Sequence, residues 1–283
     1  MDRRNAVRQI LTFAACLLAA FGSCVLPAQR STAGEIPDGN PRIKIAYEQP
    51  KSSRFKPLYQ SLKKQQDLER LRLFLAPFDL PSDLSLTVSD CNDQTGAWYD
   101  GEFGRISACY YFLDDIVKLM RKRARFPGVS HDDLVTGALT HVFLHEFGHA
   151  LINIYQLPVL GRQEDAADAL AVYLMLKLDP PEARKLVVGS AFMLSRLAAS
   201  DPPTTAALSD EHSLTIQRLY NTTCLAFGEN PANFRLVSRR GFLPRERAEA
   251  CSDEYLEIDK AFKKLLVPHL KPDTPFSFGP SAD

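Results

Sequence analysis

The chain has 283 residues, 45% of them hydrophobic, enough to bury a core of ordinary size in a single globular domain. Lys plus Arg and Asp plus Glu balance at 34 each, so the formal net charge is zero and no basic run or acidic tail stands out. Nothing in that balance points to a nucleic-acid partner.

At the N-terminus, Arg3, Arg4 and Arg8 precede an apolar run from Ile10 to Phe21 and then small residues, the layout of a secretory signal peptide. We assign residues 1–28 to it and set them aside from the fold. The run is short of the roughly 20 apolar residues that cross a membrane, so no span is expected in the mature chain. Cys24, after Phe21-Gly22-Ser23, leaves a lipid anchor as an alternative to cleavage near Ala28 or Ala33. The expected location is outside a bacterial cytoplasm, in the periplasm or secreted. Residues 29–41, with Gly, Ser, Thr and Pro, read as a lead-in, residues 42–270 as one domain, and residues 271–283 as a loose tail.

Residues 42–47 and 84–88 read as strands, and residues 58–75, with Leu and Phe at helical spacing, as one helix. Residues 97–100 and 105–111 flank Gly101-Glu102-Phe103-Gly104, which predicts a hairpin whose exposed edge, with Trp98 and Phe103 nearby, could pair with an extended substrate. From Leu113 to His269 the pattern is helical, punctuated by Pro and Gly. The expected class is therefore α+β, a small N-terminal sheet followed by helices. Cys91, Cys109, Cys224 and Cys251 remain in the mature chain, and an even count in an oxidising compartment favours two disulfides. Proximity pairs Cys91 with Cys109 and Cys224 with Cys251.

The chemistry concentrates in His145-Glu146-Phe147-Gly148-His149, inside the apolar stretch 139–154. Residues four apart share a helical face, so His145 and His149 can present imidazoles to one zinc ion, with Glu146 beside them as general base for the attacking water. A catalytic zinc takes three protein ligands, and a second helix over residues 163–178 would bring Glu164 back as the third. Asp168, one turn further on, could accept the free ring N–H of a ligand histidine; as a bland alternative it caps a helix or lies on the surface. His141 reads as a pocket or core histidine, because three successive imidazoles at this spacing do not close on one tetrahedral ion.

His-Glu-x-x-His followed by Glu-x-x-Ala-Asp resembles the gluzincin peptidases, both the thermolysin-like enzymes and the smaller prenyl-protease type. The segments 145–151 and 157–168 resemble more closely a family of bacterial exported metallopeptidases of uncharacterised substrate. The resemblance implies a zincin-like fold, one Zn²⁺, and peptide-bond hydrolysis on a peptide or protein. His212, followed six residues later by Arg218, is similar to the prenyl-protease pattern, which implies that one of the two stabilises the oxyanion. Ser213 stands where that pattern has proline. A plainer reading makes Ser209 or Asp210 a helix N-cap with His212 in the first turn. Two other functions stay open: a binding or assembly protein with a structural zinc, and a zinc amidase acting on a non-protein amide.

Overall fold

The computed structural model describes residues 39–121 and 125–272; the leader 1–28, most of the lead-in 29–41 and the tail beyond 272 lie outside the described residues. Four strands, β1 (Ile43–Tyr47), β2 (Leu84–Ser89), β3 (Ala97–Asp100) and β4 (Arg105–Cys109), form one sheet in the order β1-β2-β4-β3. β2 pairs in parallel with both β1 and β4, while β3 runs antiparallel to β4 and leaves one edge unpaired in the sheet. The central position of β2 explains its composition, since Leu84, Leu86 and Val88 are buried on one face and Thr87 and Ser89 on the other.

The parallel β1–β2 pair requires a crossover, which α1 (Lys56–Gln65) and α2 (Asp67–Phe74) supply. The single helix expected over 58–75 is thus two. Gln66 breaks it with φ 56°, and its amide closes the end of α1 on Leu62 and Lys63 carbonyls. The apolar stripe continues across the break without Gly or Pro, so periodicity alone hid it. β4 stops at Cys109 because Tyr110 begins α3 (Tyr110–Met120), shortening the second arm of the expected hairpin.

The helical part is organised around α4 (His131–Ile154). Ser130 and Asp133 form a capping box at its start, with the Asp133 amide donating to Ser130 Oγ at 3.0 Å and the Ser130 amide to Asp133 Oδ2 at 2.7 Å. The helix is apolar on most of its circumference and packs against α3, β3, β4, α5 (Gln163–Met175) and α6 (Pro180–Ala198). It approaches α5 tightly at Gly148, where a Cβ would lie 2.9 Å from the Ala167 Cα. Beyond α6 come α7 (Thr205–Ser209), α8 (Thr215–Glu229), α9 (Pro231–Arg239), α10 (Arg245–Ala248) and α11 (Cys251–Leu266). Both expected disulfides are formed, Cys91–Cys109 beside the sheet and Cys224–Cys251 between α8 and α11. Among the described residues no helix is long and apolar enough to cross a membrane. The architecture is the α+β arrangement that the sequence predicts.

Candidate metal centre

Because α4 places residues four apart on one face, His145 and His149 project side by side, and α5 enters against them with Glu164 in its first turn. The Nε2 atoms of the two histidines are 3.2 Å apart; Glu164 Oε2 is 3.0 Å from His145 Nε2, and Glu164 Oε1 is 3.3 Å from His149 Nε2. Three donors on a tetrahedral ion with bonds of 2.0–2.1 Å would be roughly 3.3 Å apart. One ligand atom from each of the three residues lies within 4.8 Å of the others, a spacing on which a single ion can draw them together.

The ring tautomers fit as well. His145 Nδ1 lies 2.8 Å from Asp168 Oδ1, and His149 Nδ1 lies 2.8 Å from Gln163 Oε1. Both partners can accept the Nδ1 hydrogen, an arrangement that turns both Nε2 atoms to the shared point, where an ion would take the place of a proton. Charge points the same way. Glu146, Glu164 and Asp168 are carboxylates at or behind this point, where a bound cation would be held by opposite charge. Burial alone would lower the pKa of His145, but the bonds to Asp168 and Glu164 outweigh it and raise it to about 9. For Glu164 burial is likewise overcome, here by His145, His149 and His212, which hold its carboxyl far below the usual range.

Glu146 is buried in the helix wall next to the two histidines, and burial pushes its carboxyl above the ordinary value against the pull of His145 and His149. The backbone of Tyr99 in β3 favours the charged carboxylate in turn, an influence that a side-chain motif cannot announce. The edge strand and the helix share one open cleft of about 640 Å³, lined by Trp98, Tyr99, Glu146, Asn153, Gln156 and Gln163 among others, together with the three donor residues.

The structure places His212 on this cleft, its Nε2 2.8 Å from Glu164 Oε2 and its Nδ1 3.1 Å from Asp210 Oδ1. Three contacts hold its segment to α5: Arg162 Nη1 donates to the His212 carbonyl at 3.0 Å, Ser213 Oγ to Asp165 Oδ2 at 2.9 Å, and Arg218 to Asp168. Neither Ser209 nor Asp210 caps α8, which begins only at Thr215; Asp210 instead accepts from the His212 amide at 2.9 Å. Arg218 is directed elsewhere, with Nε and Nη2 on the two Asp168 oxygens at 2.6 and 2.8 Å. Asp168 is buried behind His145, so it neither caps its helix nor lies on the surface. His141 is a core residue whose Nδ1 lies 2.8 Å from Ser190 Oγ and whose Nε2 lies 3.4 Å from Asp168.

Residues 47–266 match the model of a protein family described as "Putative metallopeptidase". Searches of the curated proteins and of the solved structures gave no match.

Proposed function

The chain belongs to that family, and from this premise we propose that it is a zinc-dependent endopeptidase of the gluzincin type, exported by a bacterium to the periplasm or beyond. The observation that carries the reading is the meeting of His145 Nε2, His149 Nε2 and the Glu164 carboxylate beside Glu146, in a cleft that also exposes a strand edge. Two histidines and a glutamate are a ligand set of hydrolytic zinc, and imidazole with carboxylate suits it better than calcium or magnesium. The two disulfides support an oxidising compartment.

Zinc, when bound, polarises the scissile carbonyl and brings the pKa of water down to about 7. The residues of the chain then divide the work. Glu146 takes a proton from the attacking water on its carboxylate and returns it to the leaving amine. The unpaired edge of β3 aligns the substrate by backbone hydrogen bonds, a mode that tolerates many sequences. His212, on the cleft with Nε2 against Glu164, would turn that N–H from the carboxylate to the negative charge that develops on the carbonyl oxygen, a role whose loss usually costs about 10² to 10³ in rate. Arg218 acts through Asp168, whose carboxylate fixes the His145 ring.

The test is the mature, disulfide-bonded chain as wild type and as Glu146→Gln, each assayed for zinc content and against a diverse peptide library by mass spectrometry. Cleavage by the wild type alone, with one zinc in both, is the expected result. Zinc in both with cleavage by neither would turn the reading toward a structural zinc site or a non-protein amide.

A further inference from the structure

α4 ends in an unfavourable way at Gln156. Its φ of 51° lies in the left-handed region that a residue with a Cβ enters only at a cost. Glycine takes comparable angles at Gly104, Gly128 and Gly241, while Gln66, Cys91 and Asn92 share the left-handed region with Gln156. The helix end is also a place where glycine is the usual choice, with the Leu157 amide reaching back to the Ile152 carbonyl at 3.0 Å and the Gln156 amide to Asn153 at 3.4 Å. Retaining glutamine there keeps strain that nothing in the backbone requires.

The local benefit of the side chain is small. Gln156 Nε2 donates to the Asn153 carbonyl at 2.6 Å, the same carbonyl that the Gln156 amide already addresses. The remaining N–H and the Oε1 have no partner among the described residues, and the side chain is exposed on the cleft that holds Glu146 and the β3 edge. We propose that Gln156 is a substrate-binding residue, its carboxamide hydrogen-bonding a peptide group of a chain that lies along β3. This rests on the peptidase reading above.

The chemistry suits that task. A carboxamide offers a donor and an acceptor, either of which can meet one edge of a peptide group, and carries no charge that would select for a particular side chain. Because Gln156 touches neither the general base nor the three donors, it binds substrate and transition state alike, and its loss falls on KM rather than kcat.

The experiment compares the wild type, Gln156→Gly and Gln66→Gly, all as the full mature chain with zinc, for thermal midpoint and for steady-state kinetics on a peptide that the wild type cleaves. Gln66 has φ 56° in the break between α1 and α2, so its replacement relieves similar strain without touching the cleft. Both variants should melt at or above the wild-type temperature. Gln156→Gly should raise KM by about 3- to 10-fold, the value of one hydrogen bond, with kcat held, and Gln66→Gly should leave both unchanged. An unchanged KM in Gln156→Gly overturns the proposal while the peptidase reading stands; so does a lowered midpoint, which would make the side chain a structural cap. If the wild type cleaves no peptide, the peptidase reading fails and this one with it.

Discussion

Oδ1 of Asp168 stands 2.8 Å from Nδ1 of His145, and the same carboxylate receives Arg218 through two nitrogens. One buried anion therefore joins α4, α5 and α8, and sets which nitrogen of His145 keeps its lone pair. Asp168→Asn preserves the shape but leaves a mostly buried guanidinium without its counter-ion. Its expected cost is about 3 kcal/mol of stability by urea unfolding. Zinc affinity should fall roughly 10- to 100-fold in competition with a chromogenic chelator. Wild-type affinity in this variant would remove Asp168 from the support of the site.

Gly148 predicts a second effect at the same centre. It lies between Glu146 and His149 in sequence and directly against α5, where an added Cβ would meet Ala167 Cα at 2.9 Å and Cβ at 3.2 Å. Backbone cannot yield as a flexible side chain can, so Gly148→Ala must push α5 outward and carry Glu164 away from the two histidines. The variant should lose about 1–3 kcal/mol and bind zinc more weakly, although no donor atom has been removed. Retention of full affinity would show that α5 can shift without moving Glu164.

These two contacts also show what could be read from the chain alone. His145 with His149, and Glu164 with Asp168, were legible because each pair lies four apart on one helix, so local geometry fixes the shared face. The return of Glu164 to the histidines was legible from Pro158 and Gly161 between two helical patterns. Arg218 meets Asp168 across fifty residues of chain, and nothing local distinguishes that pairing from a role on the oxyanion. Tyr99 acts on Glu146 through its backbone, which every residue possesses. Gln163 adjoins Glu164 in sequence, but its bond to His149 depends on the entry angle of α5.

The two disulfides should separate function from stability. Cys91–Cys109 ties the segment before β3 to the end of β4, where the Cys109 amide also bonds the Gly96 carbonyl at 3.0 Å. Cys224–Cys251 joins α8 to α11, and neither cysteine lines the cleft. Replacing either pair by alanines should cost about 3 kcal/mol by the loop-closure argument. Only loss of Cys91–Cys109 should also raise KM, because only that pair anchors the edge on which the substrate is aligned. Kinetics below the melting range of both variants decide this, and equal KM values would place the first disulfide outside substrate alignment.

Acid should weaken the hold of Asp259 on α11. Asp259 accepts from Tyr173 Oη at 2.8 Å and from Lys177 Nζ at 3.0 Å, and pairs with Lys263 at 2.7 Å, so it fastens α11 to α5 and the residues after it. Burial would raise its pKa, but the bonds from Lys263, Tyr173 and Lys177 prevail and lower it from 3.8 to about 2. A carboxyl held below its unfolded value contributes stability that is complete above the unfolded pKa and disappears as pH falls through the folded one. The contribution, on the order of 2 kcal/mol, should therefore be present at pH 5 and vanish between about pH 4 and pH 2. Asp259→Asn removes that titration, so its stability, lower than wild type at pH 5, should converge on the wild-type value as pH approaches 2. Urea unfolding of both proteins across this range measures it; parallel curves would show that Asp259 has the same proton affinity folded and unfolded.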